Sequence, residues 1–220
     1  MWLRRFPSSP VSAITRRALA LGLLLAGCTP RTSSTPSPYL ALGDSYTVGE
    51  GVRARETYPY RLARRRGWPA PVVVAKTGWT SHDLLVAARR LDGTFTLVTL
   101  QIGANDVFRR RSQQRYEQDL SALLDLAFAR AGGDPKRVVV VSIPDFSVMP
   151  AARGRTDLAA IVRRFNGAAK ALVERRGAHW VSVVASSRRM ADEPELRAAD
   201  DLHPSGAIYG LWAELIDPTL

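Results

Sequence analysis

Four short stretches of the chain carry the residue types that acyl transfer from an ester requires: GDSYTVGEG at 43–51, Gly78 within KTGWTS at 76–81, GAND at 103–106 and DDLH at 200–203. That chemistry needs an activated hydroxyl, a base within hydrogen-bond reach, a carboxylate to orient the base, and donors aimed at the developing oxyanion. Ser45 offers the hydroxyl. Among three histidines, His82 falls in the first turn of an expected helix, where the helix dipole lowers basicity. His179 opens an apolar run and suits a structural or surface role. His203 follows the acidic pair Asp200-Asp201. A carboxylate three residues before a histidine can curl back to accept Nδ1–H, which leaves Nε2 free to take a proton from Ser45. The D-x-x-H spacing favours Asp200 over Asp201.

Asn105 offers a side-chain N–H₂ to an oxyanion, and Gly78, without a side chain, can bring its backbone N–H close to a substrate. Each residue also has a plainer reading. Gly, Asp and Ser are ordinary turn-formers, DDLHPS can simply cap the last helix, Asn105 can close an Asx-turn, and Gly78 can be a loop glycine. Position along the fold has to separate these readings.

Five apolar, β-branched runs read as strands: Tyr39–Leu42, Val72–Ala75, Leu97–Ile102, Val138–Ile143 and Trp180–Val184. Helical patterns separate them at Tyr58–Arg66, Ser81–Leu91, Tyr116–Ala131 and Asp157–Arg176, with a last one at Ser205–Ile216. Thr80-x-x-Asp83 has the form of a capping box. Strands that alternate with helices and are apolar on both faces imply a parallel sheet covered on both sides, a three-layer α/β/α fold. In such sheets function gathers in the loops beyond the strands' carboxyl ends. Ser45, Gly78, Asn105 and the Asp200–His203 stretch all fall there, and the break at Gly43 is expected to present Ser45 to solvent.

The bulk composition sets bounds on the partners. The chain has 220 residues, 46% of them hydrophobic, and a formal charge of +11. Lys76, Lys136 and Lys170 are its only lysines, and the arginines are scattered rather than gathered on one segment. Removing residues 1–27 takes away four arginines and no acid, so the charge falls to +7. A general arginine bias explains this better than a nucleic-acid groove.

Arg4, Arg5, Arg16 and Arg17 precede the apolar run Ala18–Ala26, and Gly27-Cys28 follows. Basic stretch, short apolar run and small residues form the layout of an export signal, and the run is too short to span a bilayer. Leu25-Ala26-Gly27-Cys28 resembles the lipobox of bacterial lipoproteins, which implies lipidation of Cys28 and a membrane anchor. Thr15-Arg16-Arg17 hints at twin-arginine export. The domains expected are a signal peptide at 1–27, a Pro/Ser/Thr-rich tether at 28–38, and a catalytic domain at 39–220. The site implied lies outside the cytoplasm, on a membrane facing the periplasm or cell exterior.

Taken together, GDSYTVGEG, Gly78 in KTGWTS, GAND and DDLH resemble the SGNH hydrolases, the GDSL-type esterases and lipases. The resemblance covers nearly all of 39–217, and LVTLQIGAND and the SIPD segment look especially close to bacterial lipase-like members. It implies a flavodoxin-like five-stranded sheet, Ser45 as nucleophile, His203 as base and then acid, and Asp200 as its orienter. It also implies an oxyanion hole from the Ser45 and Gly78 N–H groups and the Asn105 side chain. Asp201 stands where glycine is common in that family. An ordinary α/β-hydrolase elbow, G-x-S-x-G, is excluded by Thr47.

No cofactor or metal is expected, since one cysteine and three scattered histidines give no ligand spacing and there is no phosphate-binding P-loop. The expected substrate is a small-molecule carboxylic ester, a short-chain acyl ester or a lysophospholipid. A carbohydrate O-acetylesterase is the alternative, and a non-catalytic binding lipoprotein is a third reading. Arg109-Arg110-Arg111 is either an anion-attracting run or a solvated loop.

Overall fold

The computed structural model describes residues 38–219; the expected signal peptide, Cys28 and nearly all of the tether lie outside them. Pro38, the last tether residue, is tied to the domain, its carbonyl accepting from the amides of Thr96 and Leu97. In chain order the elements are β1 (Tyr39–Gly43), α1 (Ser45–Val48), α2 (Tyr58–Arg65), β2 (Val72–Ala75), α3 (Ser81–Ala88) and β3 (Leu97–Gln101). They continue with α4 (Ala104–Phe108), α5 (Gln113–Arg130), β4 (Val138–Val141), α6 (Leu158–Arg175), β5 (His179–Val181), α7 (Val184–Asp192) and α8 (Gly206–Ile216).

The strands form one parallel sheet in the order β2-β1-β3-β4-β5. Every residue of β1, β3 and β4 is buried, as continuous apolar runs in a sheet covered on both faces require. Edge strand β2 departs from the expectation of burial on both sides: Val72 is exposed and its neighbours half-buried. Helix α2 packs against α8 and α8 against α7, while α3 packs against α5 and α5 against α6. Trp212 of α8 is fully buried, and its indole N–H donates to Ser186 Oγ of α7 at 2.9 Å. From β1 the chain moves outward to β2, then returns across β1 to β3. The sheet therefore reverses direction between β1 and β3, which opens a crevice beyond their carboxyl ends.

Local chemistry explains most helix limits. Thr80 and Asp83 make the anticipated capping box, Thr80 Oγ accepting from the Asp83 amide and the Asp83 carboxylate from the Thr80 amide. Ser112 caps α5, whose first residue, Gln113, lies three positions before the hydrophobic pattern begins at Tyr116. The fifth strand stops at Val181 rather than Val184. Ser142 Oγ accepts the Val183 amide beyond the sheet, and the chain turns straight into α7, which the apolar pattern does not announce.

Candidate active site

Glycine ends β1 for a steric reason. A Cβ at Gly43 would come within 2.5 Å of the Gln101 carbonyl and would also strike the Thr47 side chain. The chain then enters the single turn of α1, whose N-cap is Asp44: Oδ1 accepts the Tyr46 amide at 3.0 Å. Gly49, at φ +82°, closes the turn. Ser45 is thus the first residue of a one-turn helix at the sheet's crevice. It is only 5% exposed, so the expectation of a solvent-presented serine is corrected: α1 turns it inward, toward the loop that carries His203.

Ser45 Oγ lies 2.8 Å from His203 Nε2, and His203 Nδ1 lies 2.6 Å from Asp200 Oδ2. The two contacts suit one tautomer, Nδ1–H donating to the carboxylate and the serine O–H donating to Nε2. Asp200 Oδ1 accepts the amides of Leu202 (3.0 Å) and His203 (2.9 Å), so the acid is held by the loop it orients. Partial burial pushes the Asp200 carboxyl up, but the hydrogen bonds from His203 and Leu202 outweigh it and hold it below the ordinary carboxyl range. Asp201 turns away, at φ +54°, to pair with Arg197 at 3.2 Å. The loop is braced behind His203, the Ala198 amide donating to the His203 carbonyl and the Ser205 amide to that of Leu196. The Tyr46 ring packs on the imidazole, centroids 4.9 Å apart.

Gly78 stands at φ +85°, a conformation that favours glycine. Arg109 donates to its carbonyl at 2.8 Å, and Thr77 donates to the Glu50 carboxylate, tying the Gly78 loop to the Ser45 loop. Asn105 lies in the short helix α4, not in a loop, because Gly103 at φ +123° lets the chain turn helical directly after β3. One Asn105 Nδ2–H donates to the Trp79 carbonyl at 2.9 Å, which fixes the amide and leaves its second N–H free. The backbone N–H groups of Ser45 and Gly78 have no partner among the described residues. Ser45, Gly78, Asn105 and His203 line one cavity of about 190 Å³, with Tyr46, Phe108, Phe146 and Leu202 supplying an apolar wall. The arrangement can deprotonate a hydroxyl beside a set of unpaired donors, which is the chemistry of acyl transfer.

The other anticipated residues lie elsewhere. His82 is largely exposed, 3.6 Å from Asp119, and His179 sits in β5. The arginine run is divided: Arg109 holds the Gly78 loop, Arg110 pairs with Asp157, and Arg111, mostly buried, pairs with Asp106 and Asp119. Asp106 in turn accepts from the Ser81 amide and hydroxyl, joining α3 to α4 below the site.

Asp44 is the residue whose chemistry the sequence reading passed over. It is fully buried and its Oδ2 has no hydrogen-bond partner among the described residues. Burial pushes its carboxyl up to about 7 against the pull of the Tyr46 amide, with Asp106 adding to the rise. Between the ordinary carboxyl value and about 7, the folded chain holds a proton that the unfolded chain has released. Stability from this group is therefore lost as pH rises through that window. The melting temperature is expected to fall between pH 5 and pH 8, and Asp44→Asn, which cannot titrate, to flatten that fall. Thermal melts of both proteins across the range measure it; equal slopes would remove Asp44 as the cause.

A model of the GDSL-like lipase/acylhydrolase family matches residues 41–211. A protein called Lipase 2 from Streptomyces coelicolor is 35% identical over 122 residues, which cover 47% of this chain and 41% of that protein. The fold is similar to an extracellular lipase from Streptomyces rimosus, at TM-score 0.64 and 17% identity, covering 83% of this chain and 99% of that one. It is similar also to a G-D-S-L family member from Veillonella parvula, at TM-score 0.63 and 16% identity, covering 80% and 93%.

Proposed function

From the premise that the chain belongs to the GDSL-like lipase/acylhydrolase family, we propose that it is a cofactor-free serine esterase. In this reading it hydrolyses small carboxylic esters with Ser45, His203 and Asp200. The observation that carries this is the unbroken relay of 2.8 Å and 2.6 Å from Ser45 Oγ through the imidazole to Asp200, beside two unpaired backbone N–H groups.

In acylation the Ser45 proton passes to His203 Nε2 as Oγ bonds to the ester carbonyl carbon. Negative charge collects on the carbonyl oxygen, which the Ser45 and Gly78 N–H groups and the free Asn105 N–H receive. Because these donors are held in place beforehand, they need no reorganisation when the charge develops. The oxyanion collapses, the C–O bond to the alcohol breaks, and His203 returns its proton to the departing oxygen. Water then repeats the sequence: His203 takes its proton, hydroxide adds to the acyl carbon, and Ser45 leaves with the proton. Asp200 stabilises the imidazolium in both halves without taking the proton.

The aromatic and leucine wall supports an acyl chain rather than a bare acetyl group as the occupant. A cavity of about 190 Å³ is smaller than the roughly 300–1,000 Å³ of pockets for drug-sized ligands, which suits a short or medium chain. Short and medium acyl esters fit this better than acetylated sugars. The reading is tested by turnover of p-nitrophenyl esters from two to twelve carbons, where the optimum is expected near four to eight carbons. No turnover above a Ser45→Ala control at any length would end it.

The proposal extends to location. Residues 1–27 act as an export signal and Cys28 as the lipidated anchor, supported by the basic stretch, the apolar run and the Leu25–Cys28 pattern. Cys28→Ser is expected to move the protein from the membrane fraction to the soluble fraction of a bacterial host and to abolish labelling by a palmitate analogue. Retention of both would remove the anchor.

A further inference from the structure

Adjoining the apolar cavity at Phe146–Ser147 is a second cavity, of about 260 Å³, with a more polar lining. Ser147, Thr156, Arg153, Arg155 and Arg197 contribute polar lining. The two cavities share structure. Phe146 lines one and its chain neighbour Ser147 the other, and Phe146, Leu202 and Met149 border a closed gap that admits no water-sized group. The Arg155 guanidinium stacks 4.9 Å from the centre of the Phe108 ring and donates through Nη1 to the Phe108 carbonyl at 3.1 Å. Arg197 pairs in a β-bridge with Pro204, the residue after His203.

The charges of this cavity are compensated only in part. Arg155 Nη2 is buried without a hydrogen-bond partner among the described residues. Neither Arg153 nor Arg155 has an ion-pair partner among the described residues; Asp145 pairs with Arg188 at 2.7 Å and Asp157 with Arg110 at 3.1 Å. Arg197 lies 3.2 Å from Asp201, but the geometry leaves its Nε without a directed hydrogen bond. Three guanidinium groups thus share one carboxylate. Leaving buried donors of a charged group unmade is costly, and the planar fork of arginine suits the oxygens of phosphate and carboxylate.

We propose that this second cavity binds an anionic group, a phosphate or a carboxylate, carried on the alcohol side of the ester whose acyl chain fills the apolar cavity. The inference rests on the esterase reading and narrows its substrates to acidic esters. Arg155 is the hinge of the arrangement, since it touches the wall of the acyl cavity and lines the anion cavity.

The test compares matched pairs with the full chain in detergent: hexanoylglycerol 3-phosphate against hexanoylglycerol, and hexanoylated glucuronic acid against hexanoylated glucose. In one pair kcat/KM is expected to favour the acidic ester by about tenfold, the scale of a charge-assisted contact. The pair that responds tells phosphate from carboxylate. In Arg153→Gln/Arg155→Gln the ratio should fall to near one, and Arg155→Lys should keep part of it. Ratios near one in both pairs for the unmodified chain, or a preference that survives the double variant, would overturn the proposal.

If no ester is hydrolysed, the esterase reading falls, yet the cavity is still decided by calorimetry. Heat from glycerol 3-phosphate or glucuronate that disappears in the double variant supports the anion site. The absence of heat from both ligands overturns it. Arg153→Gln alone, at an exposed position, guards against misfolding, since it should lower the ratio while leaving the melting temperature in place.

Discussion

Ser45→Ala is expected to reduce kcat on p-nitrophenyl butyrate by on the order of 10⁴-fold or more, with little change in KM and no loss of fold. The scale follows from what the oxygen does. Without Oγ there is no acyl-enzyme, and His203 faces a methyl group across the gap that now measures 2.8 Å. The unpaired donors at Ser45, Gly78 and Asn105 remain, since two are backbone groups and the third is fixed by the Trp79 carbonyl. Some catalysis over water should therefore persist through binding and oxyanion stabilisation alone. Alanine keeps the Cβ and removes one buried hydroxyl at the start of α1, whose cap is the Asp44 side chain. A melting temperature within a few degrees of the parent separates a chemical loss from a folding loss. A variant that keeps a tenth of the activity would show that another nucleophile does the work.

The second large effect concerns the neighbouring acids. Asp200→Asn is expected to lower kcat by on the order of 10³ to 10⁴-fold. An amide N–H₂ presented to Nδ1 cannot accept a proton from it, so the ring turns to the tautomer with its hydrogen on Nε2 and loses its ability to deprotonate Ser45. Asp201→Asn, whose carboxylate pairs with Arg197 instead of the imidazole, should cost less than tenfold. Steady-state rates of the two variants side by side make the comparison. A larger loss at Asp201 than at Asp200 would reverse the assignment of the orienting acid.

The pattern of what could be read beforehand has a physical logic. The ends of β1 and β3 were legible because fully buried parallel strands are continuous apolar runs that stop where glycine begins, as at Gly43 and Gly103, whereas β4 and β5 stop short of their apolar runs, at Val141 and Val181. Topology then placed Ser45 and Asn105 beside each other, since the sheet reverses between β1 and β3. The Asp200–His203 contact was legible because its three-residue spacing closes through local bonds, two of them from the loop's own amides.

What escaped depended on distant packing. The burial of Ser45 follows from α1 turning it under the His203 loop. Helix α7 lacks a strong apolar stripe and is anchored by Ser142, Ser186 and Ser187, whose partners lie across the fold. The isolation of Asp44 is a matter of what surrounds it, not of its place in a turn-forming tripeptide. Arg153, Arg155 and Arg197 were indistinguishable from a general arginine bias until the loop after β4 and the segment after α7 brought them to one cavity.

The most direct test of the whole account is covalent capture of the nucleophile. A p-nitrophenyl alkylphosphonate places a tetrahedral phosphorus where the acyl carbon would sit, so attack by Oγ releases p-nitrophenolate and leaves the serine permanently esterified. The account predicts one p-nitrophenolate released per chain, a mass increase on the peptide containing Ser45, loss of esterase activity in step with labelling, and no label in Ser45→Ala. An adduct on any other residue, or an unlabelled chain that continues to hydrolyse esters in the reagent's presence, would contradict it.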